Sequence, residues 1–463
     1  MAEATTAARA TAGSRPETHA ATHPAAAAAR DYARDAVTAF LLVASLFMPW
    51  VASAPHGQVA TGIAAAHIDV LLVTMVTLVA LAIPHLGRVP ALGTAWSPDT
   101  VRRVRLVIGL PYAVLVIVYL VLALVTQLTL GPALAFGMAG AILAVQPRQR
   151  ELPPIPRAGR VWLRGTVVVA GLAVVFTLVQ IAEMFSIFSA NGPAAFILSI
   201  VLGLAASGIL AVAAVGALTG HRAWRRIGIG LGVAAAVLIL LSLNPQLVLV
   251  DATLHGPAPT FSLMFWVAFG AAAAAPALGR RLPAVADAGA AWFAVVRVIL
   301  GLAVSCGILV VIVSSIELSY EQLIGPFAPL AVTEWMIALA VGVLLTAGGV
   351  TVWAIGRTKT RSAVEAISVF AGILFVLGLI LTVVWSLPSA LPFGGAATLA
   401  PLIAFAFPAA LLGCLWVPAS SRARYASLPH GGRSRVSSAE QGRADDDVAR
   451  TGATRYHDDA TQS

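Results

Sequence analysis

Between residues 34 and 418 this chain is divided into twelve apolar stretches by short polar joints. Each stretch has roughly 17 to 25 residues, enough for a helix to cross a hydrocarbon core about 30 Å thick. A helix also satisfies its own backbone hydrogen bonds, which lipid cannot do for it. The stretches run over residues 36–53, 68–86, 106–128, 131–147, 165–185, 194–218, 227–243, 260–278, 298–316, 333–356, 363–387 and 397–417. With 59% hydrophobic and 11% charged residues and a mean hydropathy of +0.91, the 463-residue chain has too little polar surface for a water-soluble globule. The expected fold class is an all-α integral membrane protein with about twelve transmembrane helices.

The basic residues set the expected orientation. All 29 Lys and Arg fall in the first tail, in alternate joints, or in the last tail. The other six joints, near residues 54–67, 129–130, 186–193, 244–259, 317–332 and 388–396, contain none. Positive charge is retained on the cytoplasmic side of a membrane, so both termini are expected to be cytoplasmic. Three regions follow: a disordered cytoplasmic tail over 1–33, a twelve-helix membrane region over 34–418, and a second disordered cytoplasmic tail over 419–463. A net charge of +9 distributed in this way orients helices and does not point to nucleic acid. Ala52-Ser53-Ala54 after the first stretch fits a signal-peptidase site, but the polar segment before it is long for a signal peptide. The segment is therefore read as retained, with Trp50 as an interfacial anchor.

Arginines precede the odd-numbered stretches at Arg34, Arg105, Arg164, Arg226, Arg297 and Arg361. Gly-Pro pairs open four even-numbered ones, at residues 131–132, 192–193, 256–257 and 325–326. The pattern fits parallel internal repeats of two-helix hairpins or four-helix blocks. It equally fits turns that recur in any polytopic chain. Gly-Ala-rich faces over 203–216 and 228–236 are expected helix contacts.

Ionisable residues inside a bilayer are costly and so are candidates for function. Glu183 and Glu317 lie in the arginine-free outer turns of the fifth and ninth stretches, with Gln180 and Ser314 three residues earlier on the same faces. These four form a candidate proton- or cation-binding set. Asp69, Asp251, Glu321 and Glu334 add an acidic outer mouth that would concentrate cations. The structural alternative is that acids are simply what remains where basic residues are excluded. His56 and His67 near Asp69 lack an evident further ligand, so no metal and no cofactor are expected. Cys306 and Cys414 differ in depth and are expected as free thiols.

No phosphate-binding G-x-x-x-x-G-K-[ST] run occurs, and no outer joint is long enough for a catalytic domain, so an enzyme is disfavoured. The G-x-x-x-D-R-x-G-R-[RK] run of the major facilitator superfamily is also missing between the second and third stretches. Arg34-Asp35 before an apolar run, Pro49-Trp50 and 28 Arg against the single Lys359 resemble polytopic membrane proteins of actinobacteria that have no assigned activity. That resemblance implies a multi-pass protein of the bacterial cytoplasmic membrane. Two functions follow as expectations: a permease or flippase for a small solute or lipid, proton-coupled through Glu183 and Glu317, or a non-transporting scaffold of a cell-envelope complex. Beyond the bilayer itself and such a solute or lipid, no partner is specified.

Overall fold

The structure is a computed structural model. It describes residues 24–53, 63–86, 96–126, 129–152, 157–219, 221–242, 262–281, 287–324, 329–358, 360–385 and 399–428. It is essentially all helical: α1 (Pro24–Leu46), α2 (Ile68–Leu86), α3 (Pro98–Thr126), α4 (Pro132–Val145), α5 (Arg157–Leu218), α6 (Arg222–Ser242), α7 (Ser262–Ala273), α8 (Pro276–Arg281), α9 (Ala288–Ile324), α10 (Pro329–Ile355) and α11 (Arg361–Trp385). The chain closes with α12 (Leu399–Pro401), a π-helical turn (Leu402–Ala406), α13 (Phe407–Trp416) and α14 (Ala419–Ser427). Among the described residues seven stretches, in α3, the first arm of α5, α6, α9, α10, α11 and Leu399–Trp416, are long and apolar enough to cross a membrane. Their outward side chains are apolar too: Val107, Val125 and Val161 are each more than 60% exposed. A surface of that kind is solvated by lipid rather than by water.

α5 carries two of the expected stretches without an assigned loop between them. A straight helix of its 62 residues would be about 93 Å long. Yet a Cβ on Gly203 would lie 3.0 Å from Thr177 and 3.4 Å from Ile181, so α5 turns back on itself between those residues. The joint expected at 186–193 falls within that reversal, where the backbone remains helical.

Among the described residues, two large apolar cores result, with a small third cluster of Leu163, Ala217, Ala275 and Leu278. The first gathers α1 to α7 around α4, twelve of whose fourteen residues are buried. A helix that is hydrophobic on every side belongs at the centre of a bundle. The second core joins α9, α10, α11 and Leu399–Trp416. α6 contributes side chains to both.

One strand pair tightens the first core. β1 (Val51–Ser53) runs antiparallel to β2 (Thr129–Leu130), and the Gly131 amide donates to the Trp50 carbonyl at 2.8 Å. A Cβ on Gly131 would sit 2.1 Å from the Pro49 carbonyl oxygen, so the glycine before Pro132 is required by close backbone approach. Trp50 is fully buried, edge-on to Tyr112 and Tyr119 at 6.4 and 5.5 Å. This corrects the reading of Trp50 as an interfacial anchor: the β1–β2 pairing folds it inward.

Helix also extends beyond the expected membrane region at both ends, from Pro24 and on to Ser427. α14 is held where a tail was expected. Arg424 pairs with Asp287, Arg361 lies 4.8 Å over the Tyr425 ring, and Trp416 meets that ring edge-on at 5.2 Å.

Candidate functional site

Asp69, Ser314, Glu317 and Glu334 are the expected site residues whose side chains are described. Asp69 stands in the first turn of α2, where a negative charge complements the helix dipole, and accepts a hydrogen bond from the Tyr119 hydroxyl at 2.9 Å. Asp251 lies outside the described residues, as do the side chains of Gln180, Glu183 and Glu321. Ser314 and Glu317 are buried on α9, and Glu334 is buried on α10. The antiparallel α9–α10 register sets Gly307 against Thr346 and Gly342 against Val310 and Val311. Glu317 and Glu334 are thus buried on two helices that pack against each other. The expectation of Glu334 as part of an open mouth is corrected, because the face of α10 that carries it packs against α9.

At the arginine-rich end the fold builds a charge network that sequence reasoning treated only as topology. Arg105 on α3 donates to the Glu151 carboxylate at 3.1 Å and to the Ala144 carbonyl. The Arg148 amide donates to the same carboxylate oxygen at 3.0 Å, while its guanidinium pairs with Asp35. Arg34 donates to the Pro147 carbonyl at 3.1 Å, and Asp31 accepts from the Gln149 amide at 3.2 Å. Arg105, Arg148, Glu151 and Asp31 are all buried. Three cations thus balance three anions, and they tie α1 and α3 to the α4–α5 connection. The available signal was the presence of Asp31, Asp35 and Glu151 among the arginines of that end. A network of balanced charges locks structure and leaves no net charge over for a ligand.

A cavity of about 710 Å³ lies along the seam between the two cores. Its walls come from α6 (Ile227, Gly230, Ala234), α9 (Val295, Ile299, Cys306) and Leu402–Phe407, with Trp266 of α7 behind them. The π-helical turn borders it, and Gly378 of α11 approaches Ala404 too closely for any Cβ. Along α9 the lining runs from Trp292 to Cys306, a depth of about 21 Å. Gly230 has open space where a side chain would stand.

One charged residue lines this apolar space, Arg226, at the arginine-rich end. Its guanidinium carbon lies 4.0 Å over the Trp292 ring. The Arg226 Nη1 atom is enclosed and has no hydrogen-bond acceptor, and among the described residues no carboxylate pairs with this side chain. Its neighbour differs. Arg225 donates to the carbonyls of Ala273, Ala274 and Ala275 at 2.9, 3.0 and 3.2 Å, closing the end of α7. Sequence reasoning placed Arg226 only as a flank of the seventh stretch. Adjacent arginines look alike in sequence, so nothing there separates the helix cap from the cavity residue.

Residues 31–424 match a family described as a domain of unknown function, DUF7937. The chain belongs to this family. The DUF7937 match begins at Asp31, the first member of the charge network, and ends at Arg424, the partner of Asp287. It therefore takes in both cores and the whole cavity. No curated protein and no solved structure matches the chain.

Proposed function

We propose that this DUF7937 protein is a twelve-crossing permease of flippase type in the bacterial cytoplasmic membrane, with both termini cytoplasmic, that carries an amphiphile through the cavity between its two cores. The observation that supports this reading best is the cavity itself. It is large, elongated and apolar, and it lies on a seam where two packed units can move against each other while each keeps its own core. The charge network belongs to the first unit and stiffens it. The π-helical turn belongs to the second and borders the seam. In this scheme Glu317, with Glu334 on α10 and Glu183 on α5, takes up and releases the coupling proton.

The test is transbilayer movement in liposomes that contain the purified full-length protein. Fluorescent phospholipid in the inner leaflet is protected from a membrane-impermeant quencher, and the fraction that becomes accessible with time reports movement. Faster exposure than in protein-free liposomes is expected, with a dependence on an imposed pH gradient that Glu317→Gln removes. No movement of any lipid, with or without a gradient, would leave the scaffold role as the better account. Wild-type gradient dependence in Glu317→Gln would remove that residue from the coupling step.

A further inference from the structure

We infer that the occupant of the seam cavity is an anionic phospholipid, bound with its phosphate on Arg226 and an acyl chain along α6 and α9 toward Cys306. This deepens the proposed function and rests on its reading of the cavity as an amphiphile site. The argument begins with an unbalanced charge. A guanidinium set against an apolar wall favours a partner anion. Arg105 and Arg148 are paired with carboxylates, and Arg225 donates to three carbonyls. Arg226 receives only the face of Trp292, which orients the cation and leaves the enclosed Nη1 donor free to bond a ligand. A phosphate oxygen supplies both the missing charge and the missing acceptor.

The rest of the cavity narrows the ligand further. From Trp292 to Cys306 its lining is apolar, so whatever anion sits on Arg226 must carry a hydrocarbon tail to fill the space behind it. A free phosphate or a small carboxylate would leave that space empty. Arg226 lies at the arginine-rich end, where basic residues enrich anionic lipid. Gly230 keeps the chain path open, since any larger residue would project into it.

Binding to the full-length protein in neutral detergent is the test, with a fluorescent-chain phosphatidylglycerol displaced by unlabelled phosphatidylglycerol or by phosphatidylcholine of the same chains. The wild type should prefer phosphatidylglycerol by about tenfold, the scale of one charge-assisted contact. Arg226→Gln should lose that preference while still binding phosphatidylcholine, and Arg226→Lys should keep part of it. Gly230→Leu should weaken both lipids alike. Thermal unfolding of each variant establishes that it is folded. Equal affinity of the wild type for the two lipids, or an undiminished preference in Arg226→Gln, overturns the assignment of the headgroup while the cavity remains an amphiphile site. Absence of binding by either lipid, with Gly230→Leu indistinguishable from wild type, overturns the cavity reading and this inference with it.

Discussion

Arg225 and Arg226 are neighbours in sequence with opposite surroundings, and the contrast shows how far a residue's role depends on its acceptors. Arg225 is consumed by the last carbonyls of α7, so Arg225→Gln should lower stability without changing lipid preference. The same reasoning separates the charges of the network from those on the surface. Glu151 holds the Arg105 guanidinium and the Arg148 amide from a buried position. Removing its charge leaves Arg105 buried without its anion, and Glu151→Gln should cost about 3–5 kcal/mol. The exposed Arg102–Asp99 pair at 3.3 Å offers the control, since Arg102→Gln should cost less than about 1 kcal/mol. Thermal unfolding of the two variants in the same detergent checks both values. Similar midpoints would mean that water reaches Glu151 and screens it.

Between α6 and α7 the backbones meet glycine on glycine. A Cβ on Gly232 of α6 would lie 2.6 Å from the Gly270 Cα and 2.9 Å from the Trp266 carbonyl oxygen, both on α7. Backbone cannot yield as a flexible side chain does, so Gly232→Ala should cost about 1–3 kcal/mol. Gly230, two residues earlier, faces the cavity, and Gly230→Ala should be neutral or stabilising by up to about 1 kcal/mol through helix propensity. Opposite shifts in unfolding temperature are the expected result, and equal losses would show that α6 is rotated relative to α7. Gly-Ala-rich faces were legible as helix contacts, and Gly203, Gly216, Gly228 and Gly232 do meet neighbouring atoms. Gly208 and Gly230, in the same two runs, meet nothing. Composition marks a face on which helices can approach closely, but the crossing point decides which glycine is in contact.

At the scale of the whole molecule, two cores joined through α6 carry the transport reading, and the arrangement of charge carries the orientation. All basic residues lie in the two tails or at alternate joints, so reporter fusions should divide cleanly. A cytoplasmic fluorescent reporter fused after Ser463 should be active, and a periplasmic phosphatase inserted in the arginine-free joint at residues 388–396 should be active as well. A phosphatase that works at the C-terminus instead would invert the proposed topology and put Arg226 at the outer leaflet. Transport should also depend on movement at the seam. Cross-linking α6 to α9 through paired cysteines across the cavity, in a background lacking Cys306 and Cys414, should stop lipid movement and leave the unfolding temperature unchanged or raised.

The sequence by itself determined that the chain is helical and built for lipid, because apolar length and backbone hydrogen bonding are local properties. α2 occupies the residues its apolar run marks, α6, α10 and α11 begin a few residues before theirs, and α3 begins two helical turns before its own. It also marked Gly131-Pro132 as a helix start, since a proline ring fixes its own backbone angle. What only the tertiary structure decided is who faces whom. The hydrogen bond from Arg34 to the Pro147 carbonyl spans 113 residues, and that from Gln146 to the Ala271 carbonyl spans 125. No local period encodes such pairings. The burial of Glu317 and Glu334, the inward turn of Trp50 and the unanswered charge of Arg226 all follow from how helices distant in sequence pack, and that packing leaves a cavity where the two cores meet.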